Sequence, residues 1–371
     1  MGRGMTMSGD TLRACVVSAP GEISVREFPI PNPPPAGGLL DVEACGVCGS
    51  DIELFRGEAG VSFDPLVLGH EVVGRIREIS EVSAEAWSLA PGDRVIVNEV
   101  IACGACRLCL SGASELCNGF FGTRGSRHGF LPLTKESGLW GGYADVMQLH
   151  PRSHLVRITE DVPTPVAAMF MPISNGIHWV FGIGGAQPGD TLLVIGPGAQ
   201  GLAVTATAHA AGLRVIVAGR TADAARLALA RAVGAVATVD VDTEDVVAAV
   251  NDLTGGVGAD IVVVATSGAD DIVRITTRCV KVSGTVLLAG TNGWKSEQAF
   301  KADALVYRDL TLRGVIGHSA ASVQAAARLL ESSWRVFEPL VGSHVGLDDV
   351  ESVLVGTLPR ADGIHISVSP R

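Results

Sequence analysis

Four cysteines in one short segment form a compact group of potential metal ligands, Cys103, Cys106, Cys109 and Cys117. Four thiolates this close together can complete a tetrahedral shell around Zn²⁺ with no open position, which is typical of a structural zinc site. They could also hold an iron–sulfur cluster. Since a chance cluster of free thiols would be vulnerable to oxidation, the sequence predicts a bound metal here.

A second group of potential ligands lies earlier in the chain and is more widely spaced. Cys45 and Cys48 are followed further along by His70 and Glu71. A thiolate and an imidazole are suitable ligands for Zn²⁺, and Ser50 offers a hydroxyl group beside them. The alternative is that both cysteines are small buried residues and that the histidine belongs to the core. The donor chemistry favours a metal site.

A glycine-rich turn follows a short apolar run in the second half of the chain. Gly196, Gly198 and Gly201 form the pattern G-x-G-x-x-G directly after Thr191–Ile195, and the alanine-rich run Leu202–Ala211 predicts a helix. In such a unit the glycines permit a tight turn, let the backbone approach a pyrophosphate and let the helix pack on the strand. The helix N-terminus then attracts the phosphates. By itself the pattern would also suit a plain structural turn.

Downstream of this turn, apolar strand-like runs alternate with helical ones at the spacing of βαβ units. The predicted strands are Leu213–Ala218, Asp260–Ala265 and Gly284–Ala289. Two predicted helices are Ala222–Val233 and Asp270–Lys281. A third helix lies between them, with Asp242 as its cap and with Val246, Val250 and Leu253 on one face. Continuous apolar strands between helices indicate a parallel sheet that is covered on both faces. This part of the chain is therefore predicted to be a dinucleotide-binding domain.

The first part of the chain has a different texture. From Thr11 to about Pro172, short alternating strands such as Leu39–Glu43 and Val72–Ile79 are separated by clusters such as Pro31–Gly38. This pattern is typical of an irregular all-β domain. The metal-ligand groups fall within it, so the expected architecture is α/β overall, with two domains.

Composition limits the possible partners and compartment. The chain has 371 residues, of which 47% are hydrophobic and 18% charged, and a formal net charge of -11. These values describe a globular protein and give no basic surface for nucleic acid or an anionic membrane. Met1–Asp10 lacks the apolar core of a signal peptide, and no run approaches the ~20 apolar residues of a membrane span. We expect a cytoplasmic protein whose cysteines are thiols or metal ligands.

Several short motifs occur together along the chain, namely Cys48-Gly49-Ser50-Asp51, Gly69-His70-Glu71-x-x-Gly74, Gly92-Asp93-Arg94-Val95, the four-cysteine lobe, Gly141-Gly142-Tyr143-Ala144 and the Gly196 turn. Together they resemble the zinc-containing medium-chain alcohol dehydrogenases, and most closely their polyol and threonine dehydrogenase branch. The resemblance implies a GroES-like β domain with a structural zinc lobe (residues 1–172), a Rossmann domain with a doubly wound parallel sheet (173–309), and a return to the first domain (310–371).

The resemblance also assigns roles to residues that match the family motifs. By this analogy Cys48 and His70 are ligands of a catalytic zinc, and Ser50 passes the alcohol proton to solvent. Glu71 corresponds to an acidic neighbour that ligates the metal in some relatives. Cys103, Cys106, Cys109 and Cys117 correspond to the structural zinc lobe, whereas Cys45 lies outside the matching motif and is expected to pack in the core.

Two positions depart from the family pattern. A histidine that commonly completes the proton relay is replaced by Glu53, whose unperturbed pKa is near 4.3 rather than 6.5. Counted back from Gly196, the family's third zinc ligand falls on Met171. A thioether is a soft, uncharged donor that suits Zn²⁺ poorly, so Met171 is expected to be a core residue. The zinc would then need Glu71, a water molecule or the substrate to complete its shell.

The residues after the predicted strand Leu213–Ala218 influence the choice between NAD and NADP. An acid there usually binds the ribose of NAD, whereas the 2′-phosphate of NADP needs small residues and a cation. This chain has Gly219, Arg220 and Thr221, with no acid before Asp223. NADP is therefore favoured over NAD. The alternative is that Arg220 is a solvated surface charge and that Asp223 reaches back to the ribose.

These features predict reversible hydride transfer between a small alcohol, or its carbonyl product, and NAD(P), with zinc as Lewis acid. In related enzymes, backbone at the position of Gly290, Thr291 and Asn292 contacts the nicotinamide carboxamide. Two alternatives are an NADPH-dependent reductase of activated double bonds or carbonyls without catalytic zinc, and a non-catalytic NADPH-binding protein. Since Thr311–Gly317 would leave an exposed sheet edge, a homodimer or homotetramer is expected.

Overall fold

The structure is a computed structural model that describes residues 11–58, 64–117, 126–267, 271–290, 297–358 and 363–370. Among these residues the strands are β1 (Thr11–Ala19), β2 (Glu22–Pro29), β3 (Gly38–Gly46), β4 (Leu66–Val67), β5 (Glu71–Ile79), β6 (Arg94–Val97), β7 (Val100–Ile101), β8 (Ser126–Arg127), β9 (Val146–Leu149), β10 (Leu155–Arg157), β11 (Thr191–Ile195), β12 (Arg214–Gly219), β13 (Ala235–Asp240), β14 (Ala259–Val264), β15 (Val280–Leu288), β16 (Thr311–Gly314), β17 (Val341–Val345) and β18 (His365–Val368).

The α-helices of the described residues are mostly short in the first half of the chain and longer in the second. They are α1 (Gly49–Phe55), α2 (Glu81–Trp87), α3 (Arg107–Leu110), α4 (Thr164–Ala167), α5 (Phe170–Gly176), α6 (Ala199–Ala210), α7 (Ala224–Ala232), α8 (Val246–Leu253), α9 (Ile272–Cys279), α10 (Asp303–Arg308), α11 (Ala320–Ser333) and α12 (Val350–Val355). A π-helix, Ile177–Ile183, follows α5 directly.

The chain divides into two compact units. The first contains the described residues of Met1–Ala168, His344–Pro359 and Ile366–Arg371, and the second contains those of Met169–Ser343 and Arg360–His365.

Antiparallel strands build the first unit. A three-stranded sheet has the order β2-β1-β4, and a larger sheet has the order β10-β6-β5-β3-β18-β17, with β9 also paired to β3. Leu40, Val72 and Val95 are buried with many other apolar side chains in its core. Strand β3 has neighbours on both sides in this sheet and is buried along most of its length. It therefore provides a rigid base for the residues that follow its end.

The second unit contains a six-stranded parallel sheet with the order β13-β12-β11-β14-β15-β16. This is the doubly wound order 3-2-1-4-5-6, whose direction reverses between β11 and β14. Every residue of β11 is buried, as the apolar run predicted. Ligands of such sheets bind outside the carboxyl ends of the strands at the reversal point, which is where the glycine-rich turn lies.

Each of the four predicted helices begins two or three residues away from its expected start, and the differences are largest for α6 and α8. Helix α6 begins at Ala199, inside the glycine pattern, because Gly198 serves as its N-cap. Helix α8 begins at Val246, and its N-cap is Asp245, whose carboxylate accepts hydrogen bonds from Val247 N and Ala248 N. Our prediction that Asp242 caps this helix is therefore wrong. Asp245 caps the helix because its carboxylate reaches the free N–H groups of the first turn.

The return of the chain to the first unit begins at His344, later than the residue 310 that we expected. Strand β16 pairs in parallel with β15, so it completes the sheet of the second unit. Helix α11 packs against α5 in the same unit. Residues 310–343 thus belong to the second unit because they pack against β15 and α5. The sequence pattern does not reveal these contacts.

One helical stretch, Thr164–Ile183, is long and apolar enough to cross a membrane by length and composition. However, 67% of its most apolar window is buried inside the protein. Burial of this kind is also the property of a core helix.

Candidate active site and metal centres

Three potential metal ligands converge in the first unit where β3 meets β5. The antiparallel register pairs Gly46 with Glu71, so Cys48, two residues beyond Gly46, lies beside His70. The donor atoms of Cys48, His70 and Glu71 all lie within 4.8 Å of one another. His70 and Glu71 are each 4% exposed, while Cys48 is partly exposed. A thiolate, an imidazole and a carboxylate supply three protein ligands, one fewer than a closed tetrahedral shell needs, and so fit a catalytic zinc site.

The carboxylate of Asp51 lies against the ring of His70, a contact that the sequence analysis did not assign. Its Oδ1 lies 3.2 Å from His70 Nδ1, and its Oδ2 accepts a hydrogen bond of 2.9 Å from Cys48 N. A carboxylate on Nδ1 leaves Nε2 as the nitrogen available to a metal. The available signal was an acid three residues after Cys48 at the start of a helix, where it can bond back to the backbone.

The electrostatic surroundings of His70 favour a positive charge. Burial alone would disfavour the charged ring, but the carboxylate of Asp51 and the thiol group of Cys48 outweigh it and raise the pKa of His70 well above its usual value. Surroundings that stabilise an imidazolium ion also suit a divalent cation at the same place.

The other predicted residues of this site lie at different distances from it. Ser50 Oγ is 3.3 Å from His70 Nε2, so its hydroxyl group borders the ligand cluster. Glu53 is exposed on α1, one helical turn after Ser50. Cys45 is fully buried in the core, where a Cβ atom on Gly69 would lie 2.9 Å from its Sγ. Cys45 therefore packs tightly against the backbone that precedes His70.

The four-cysteine lobe has the geometry of a closed tetrahedral site. Sγ atoms are 3.9 Å apart for Cys103 and Cys109, 3.5 Å for Cys106 and Cys109, and 3.9 Å for Cys106 and Cys117. Four sulfur atoms at Zn–S bonds of ~2.3 Å would be separated by about 3.8 Å. The lobe therefore fits Zn²⁺ without rearrangement.

Backbone N–H groups prepare the lobe for a cation. Cys106 N donates to Cys103 Sγ at 3.3 Å, and Cys103 N donates to Cys117 Sγ at 3.3 Å. Hydrogen bonds from Ala105 N and Cys106 N lower the pKa of Cys103 to about 6. Thiolates are the form that binds metal, so these bonds favour the metal-binding form of Cys103, whereas burial raises the pKa of Cys109 to about 12.

In the second unit, close contacts require two of the three glycines in the turn after β11, Gly196 and Gly201. Gly196 has a φ of 102°, and a Cβ atom there would lie 2.9 Å from Ala265 O. On Gly201 a Cβ atom would lie 2.0 Å from Gly196 O, whereas Gly198 has open space around it. The N-terminus of α6 thus stays open for a phosphate group, as the motif requires.

The carboxyl end of β15 makes a similar close approach. A Cβ atom on Gly290 would lie 1.9 Å from Thr266 O, so only glycine fits beside the residues that follow β14. Thr291 and Asn292, which we predicted to continue this contact surface, lie outside the described residues.

Acidic side chains surround the predicted 2′-phosphate region after β12. The side chain of Arg220 is 73% exposed, and its Nε lies 3.3 Å from Asp242 Oδ1. Thr221 Oγ1 donates a hydrogen bond of 2.7 Å to Asp240 Oδ2. Asp223 accepts from the backbone N of Arg220 at 3.2 Å. Sequence reasoning missed Asp240 and Asp242 because they lie at the end of the neighbouring strand β13 and just beyond it, not after β12.

Comparison with known proteins places this arrangement in a family. Residues 35–160 match the sequence profile of the alcohol dehydrogenase GroES-like domain, and residues 199–332 match that of zinc-binding dehydrogenases. A probable alcohol dehydrogenase of Mycobacterium tuberculosis is 37% identical over 361 residues, which cover 96% of this chain and 97% of that protein. The chain belongs to the zinc-containing medium-chain alcohol dehydrogenase family. The sequence-based resemblance and the GroES-like plus Rossmann fold are confirmed.

Other members of the family include a polyol enzyme and a solved dinucleotide complex. The erythritol/L-threitol dehydrogenase of Mycolicibacterium smegmatis is 31% identical over 69% of this chain and 70% of that protein. A crystal structure from Sinorhizobium meliloti, described as a zinc-binding dehydrogenase bound to NADP, has a TM-score of 0.84 and 28% identity over 98% of this chain and 100% of that chain. This alcohol dehydrogenase is accordingly an oxidoreductase that uses zinc and a nicotinamide cofactor.

Proposed function

We propose that this alcohol dehydrogenase holds a catalytic zinc with Cys48, His70 and Glu71, and oxidises a small alcohol, or reduces the matching carbonyl, with NADP. The convergence of three chemically suitable donor atoms within 4.8 Å carries the proposal. A zinc-independent reductase or a non-catalytic NADPH-binding protein would have no need for a thiol, an imidazole and a carboxylate gathered as three ligands of one metal ion.

The reaction divides into tasks that the protein performs and chemistry that the bound groups supply. When bound, zinc supplies a Lewis acid that lowers the pKa of the substrate hydroxyl, and the nicotinamide supplies the hydride acceptor. Ser50 Oγ, 3.3 Å from His70 Nε2, would accept the proton of the substrate hydroxyl as it donates its own hydroxyl proton to water. Glu53, exposed on the same helix, provides a carboxylate that can pass this proton to solvent.

Glu71 has a larger part in this proposal than the family pattern suggests. The position at which the family commonly places a third ligand is Met171, a buried residue of α5. A thioether contributes no charge and suits Zn²⁺ poorly, so we assign the third protein ligand to Glu71.

Zinc content and turnover together test the proposed function. We expect about two zinc atoms per chain, from one closed and one open site, and reduction of NADP⁺ or NAD⁺ with at least one member of a panel of primary, secondary and polyhydric alcohols. Turnover of activated double bonds at one zinc atom per chain would favour the zinc-independent reductase. Cofactor binding without turnover on either panel would favour the non-catalytic alternative.

Replacing Arg220 by Ala tests the preference for NADP. If the guanidinium binds the 2′-phosphate, we expect kcat/KM with NADP⁺ to fall about tenfold while the value with NAD⁺ changes little, because a charge-assisted hydrogen bond is lost. Arg214→Ala, at the opposite end of β12, is the matched control and should leave the ratio unchanged. A wild-type enzyme that strongly prefers NAD⁺ would contradict the proposal.

The acidic neighbours of Arg220 provide the converse experiment. Asp242→Asn removes a carboxylate 3.3 Å from the guanidinium and should improve kcat/KM with NADP⁺. Gly219→Asp, which would place an acid at the ribose, is a poor test because a Cβ atom there would lie 2.8 Å from the ring of Pro197. Its effect would mix steric strain with charge.

We also propose that two copies of the chain associate through β16. This strand ends the six-stranded sheet, and in the described part of the chain nothing pairs with its outer side. Val306 and Ile316, close to it in sequence, are 78% and 66% exposed. An open edge flanked by exposed apolar side chains is a natural site of self-association.

Ile316→Lys should shift the assembly toward monomers, since it places a charge in an apolar interface. Sedimentation velocity at micromolar concentration measures the change, and Val257→Lys, at another site with 64% exposure, is the control. A wild-type protein that sediments as a monomer would refute the proposal.

None of the eight cysteines, all of which the structure describes, forms a disulfide bond. Reduced cysteines are typical of a reducing compartment, and on this ground we propose a cytoplasmic location.

A further inference from the structure

Tyr143 is fully buried, and its hydroxyl group points at the carboxylate behind the zinc-ligand cluster. The hydroxyl donates a hydrogen bond of 3.0 Å to Asp51 Oδ2. The backbone around the ring is fixed as well, because Tyr143 N donates to Leu68 O at 3.0 Å and its own carbonyl accepts from Cys15 N at 2.8 Å. These two bonds fix the backbone from which the ring extends.

The ring occupies space that only a glycine leaves free. A Cβ atom on Gly69 would lie 2.7 Å from Tyr143 Cδ1, and Gly69 has a φ of 96°. Gly69 directly precedes His70, so the ring packs on the backbone that carries this ligand. Such a contact locks the ring orientation and leaves the phenol little freedom to turn away from Asp51.

Asp51 is a fully buried carboxylate whose two oxygen atoms have separate tasks. Oδ2 accepts from both Tyr143 Oη and Cys48 N, at 3.0 and 2.9 Å. Oδ1 faces His70 Nδ1 at 3.2 Å. Two donors on one oxygen fix the plane of the carboxylate and so direct the other oxygen at the imidazole. Without the phenol, the carboxylate could rotate and offer Nδ1 a poorer partner.

We propose that Tyr143 is a positioning residue of the catalytic zinc site, which acts through Asp51 to hold His70 in its ligating orientation. This inference rests on the proposed function, because it assumes that zinc binds at Cys48, His70 and Glu71. Groups that orient a ligating histidine through a carboxylate typically change metal affinity about 10- to 100-fold when they are removed. Tyr143 would thus extend the site by one more hydrogen bond, from an element distant in sequence.

Tyr143→Phe deletes the hydroxyl group and keeps the ring. We expect this variant to lose zinc from the open site to a chelator about tenfold more readily than the wild type, while the four-cysteine lobe keeps its zinc. The lobe thus serves as an internal standard in the same molecule. With Co²⁺ at the open site, the visible absorption bands should change because the imidazole is held less firmly. Tyr307→Phe, at a position that is 86% exposed, is the matched control and should behave as the wild type.

A double-mutant cycle separates positioning from mere packing. If Tyr143 acts through Asp51, Tyr143→Phe should weaken zinc binding in the wild type but have little further effect in an Asp51→Asn background. Equal zinc retention by Tyr143→Phe and wild type, or additive effects of the two substitutions, would overturn the inference. If the Tyr143→Phe variant does not fold, Asp51→Asn alone tests the inference. An Asp51→Asn enzyme that keeps its open-site zinc as firmly as the wild type would show that Asp51 does not support His70, and would overturn the inference. A wild type with only the lobe zinc would instead refute the proposed function.

Discussion

Glu71→Gln is expected to abolish alcohol oxidation and to remove the open-site zinc, leaving about one zinc per chain in the lobe. Glu71 is 4% exposed, and its carboxylate is the only charged oxygen donor in the cluster of three ligands among the described residues. The amide is nearly the same size but carries no charge. Each ligand contributes both charge and geometric constraint, so a site reduced to Cys48 and His70 should bind zinc far more weakly. Zinc analysis after dialysis, with initial rates on the same samples, measures both effects.

Glu78→Gln controls for the loss of a carboxylate from the same strand. Glu78 lies on β5 like Glu71 but is exposed to solvent, so its substitution should leave zinc content and rates unchanged. A Glu71→Gln enzyme that keeps two zinc atoms and its activity would show that the metal is held by other groups. Activity with only the lobe zinc in the wild type would favour the zinc-independent reductase.

The metal lobe and the glycine turn could be predicted from the sequence because their geometry is local. The four cysteines lie on one short loop, and the three glycines lie on one strand–turn–helix unit, so spacing along the chain fixes their spacing in space. The alternation of strands and helices also predicted the parallel sheet, since each βαβ unit is a local pattern repeated.

The surroundings of His70 could not be predicted in this way. Tyr143 and Asp51 are 92 positions apart in the chain, and only the folded sheet brings them together. Asp240 and Asp242 reach the region of Arg220 in the same manner, through the parallel pairing of β12 and β13, in which Gly219 lies opposite Asp240. Cross-strand neighbours depend on strand order and register, and a single sequence specifies neither directly.

The contacts around single glycines could not be predicted from the sequence either. Gly219 is the kind of small residue expected at an NADP site. However, a side chain at this position would also collide with Pro197 and Leu227, so packing alone requires the glycine. Its presence therefore follows from packing whichever cofactor is bound. For this reason the charge of Arg220 and its acidic neighbours, rather than the glycine, carries the information on cofactor choice.

Cys106→Ser is expected to lower the zinc content by about one atom per chain and to reduce the melting temperature markedly. Cys106 lies at the centre of the lobe, since its Sγ is 3.5 Å from Cys109 Sγ and 3.9 Å from Cys117 Sγ. It is also the N-cap of α3, where its sulfur accepts from Cys109 N. A hydroxyl group binds Zn²⁺ poorly and cannot complete the Cys₄ shell. Metal binding and folding of such a loop are coupled, so loss of the metal should release the loop.

Cys279→Ala separates this effect from the general cost of changing a buried cysteine. Cys279 is fully buried in the core of the parallel sheet domain, so its truncation should lower stability slightly by leaving a small cavity, while both zinc atoms remain. Catalytic zinc should also survive in Cys106→Ser at low temperature, because its ligands lie at the start of β5 and between β3 and α1, outside the lobe. If Cys106→Ser keeps its full zinc content and its melting temperature, the lobe does not hold a metal. If both substitutions lower stability equally and neither changes zinc, the cysteines of the lobe stabilise the protein through packing alone.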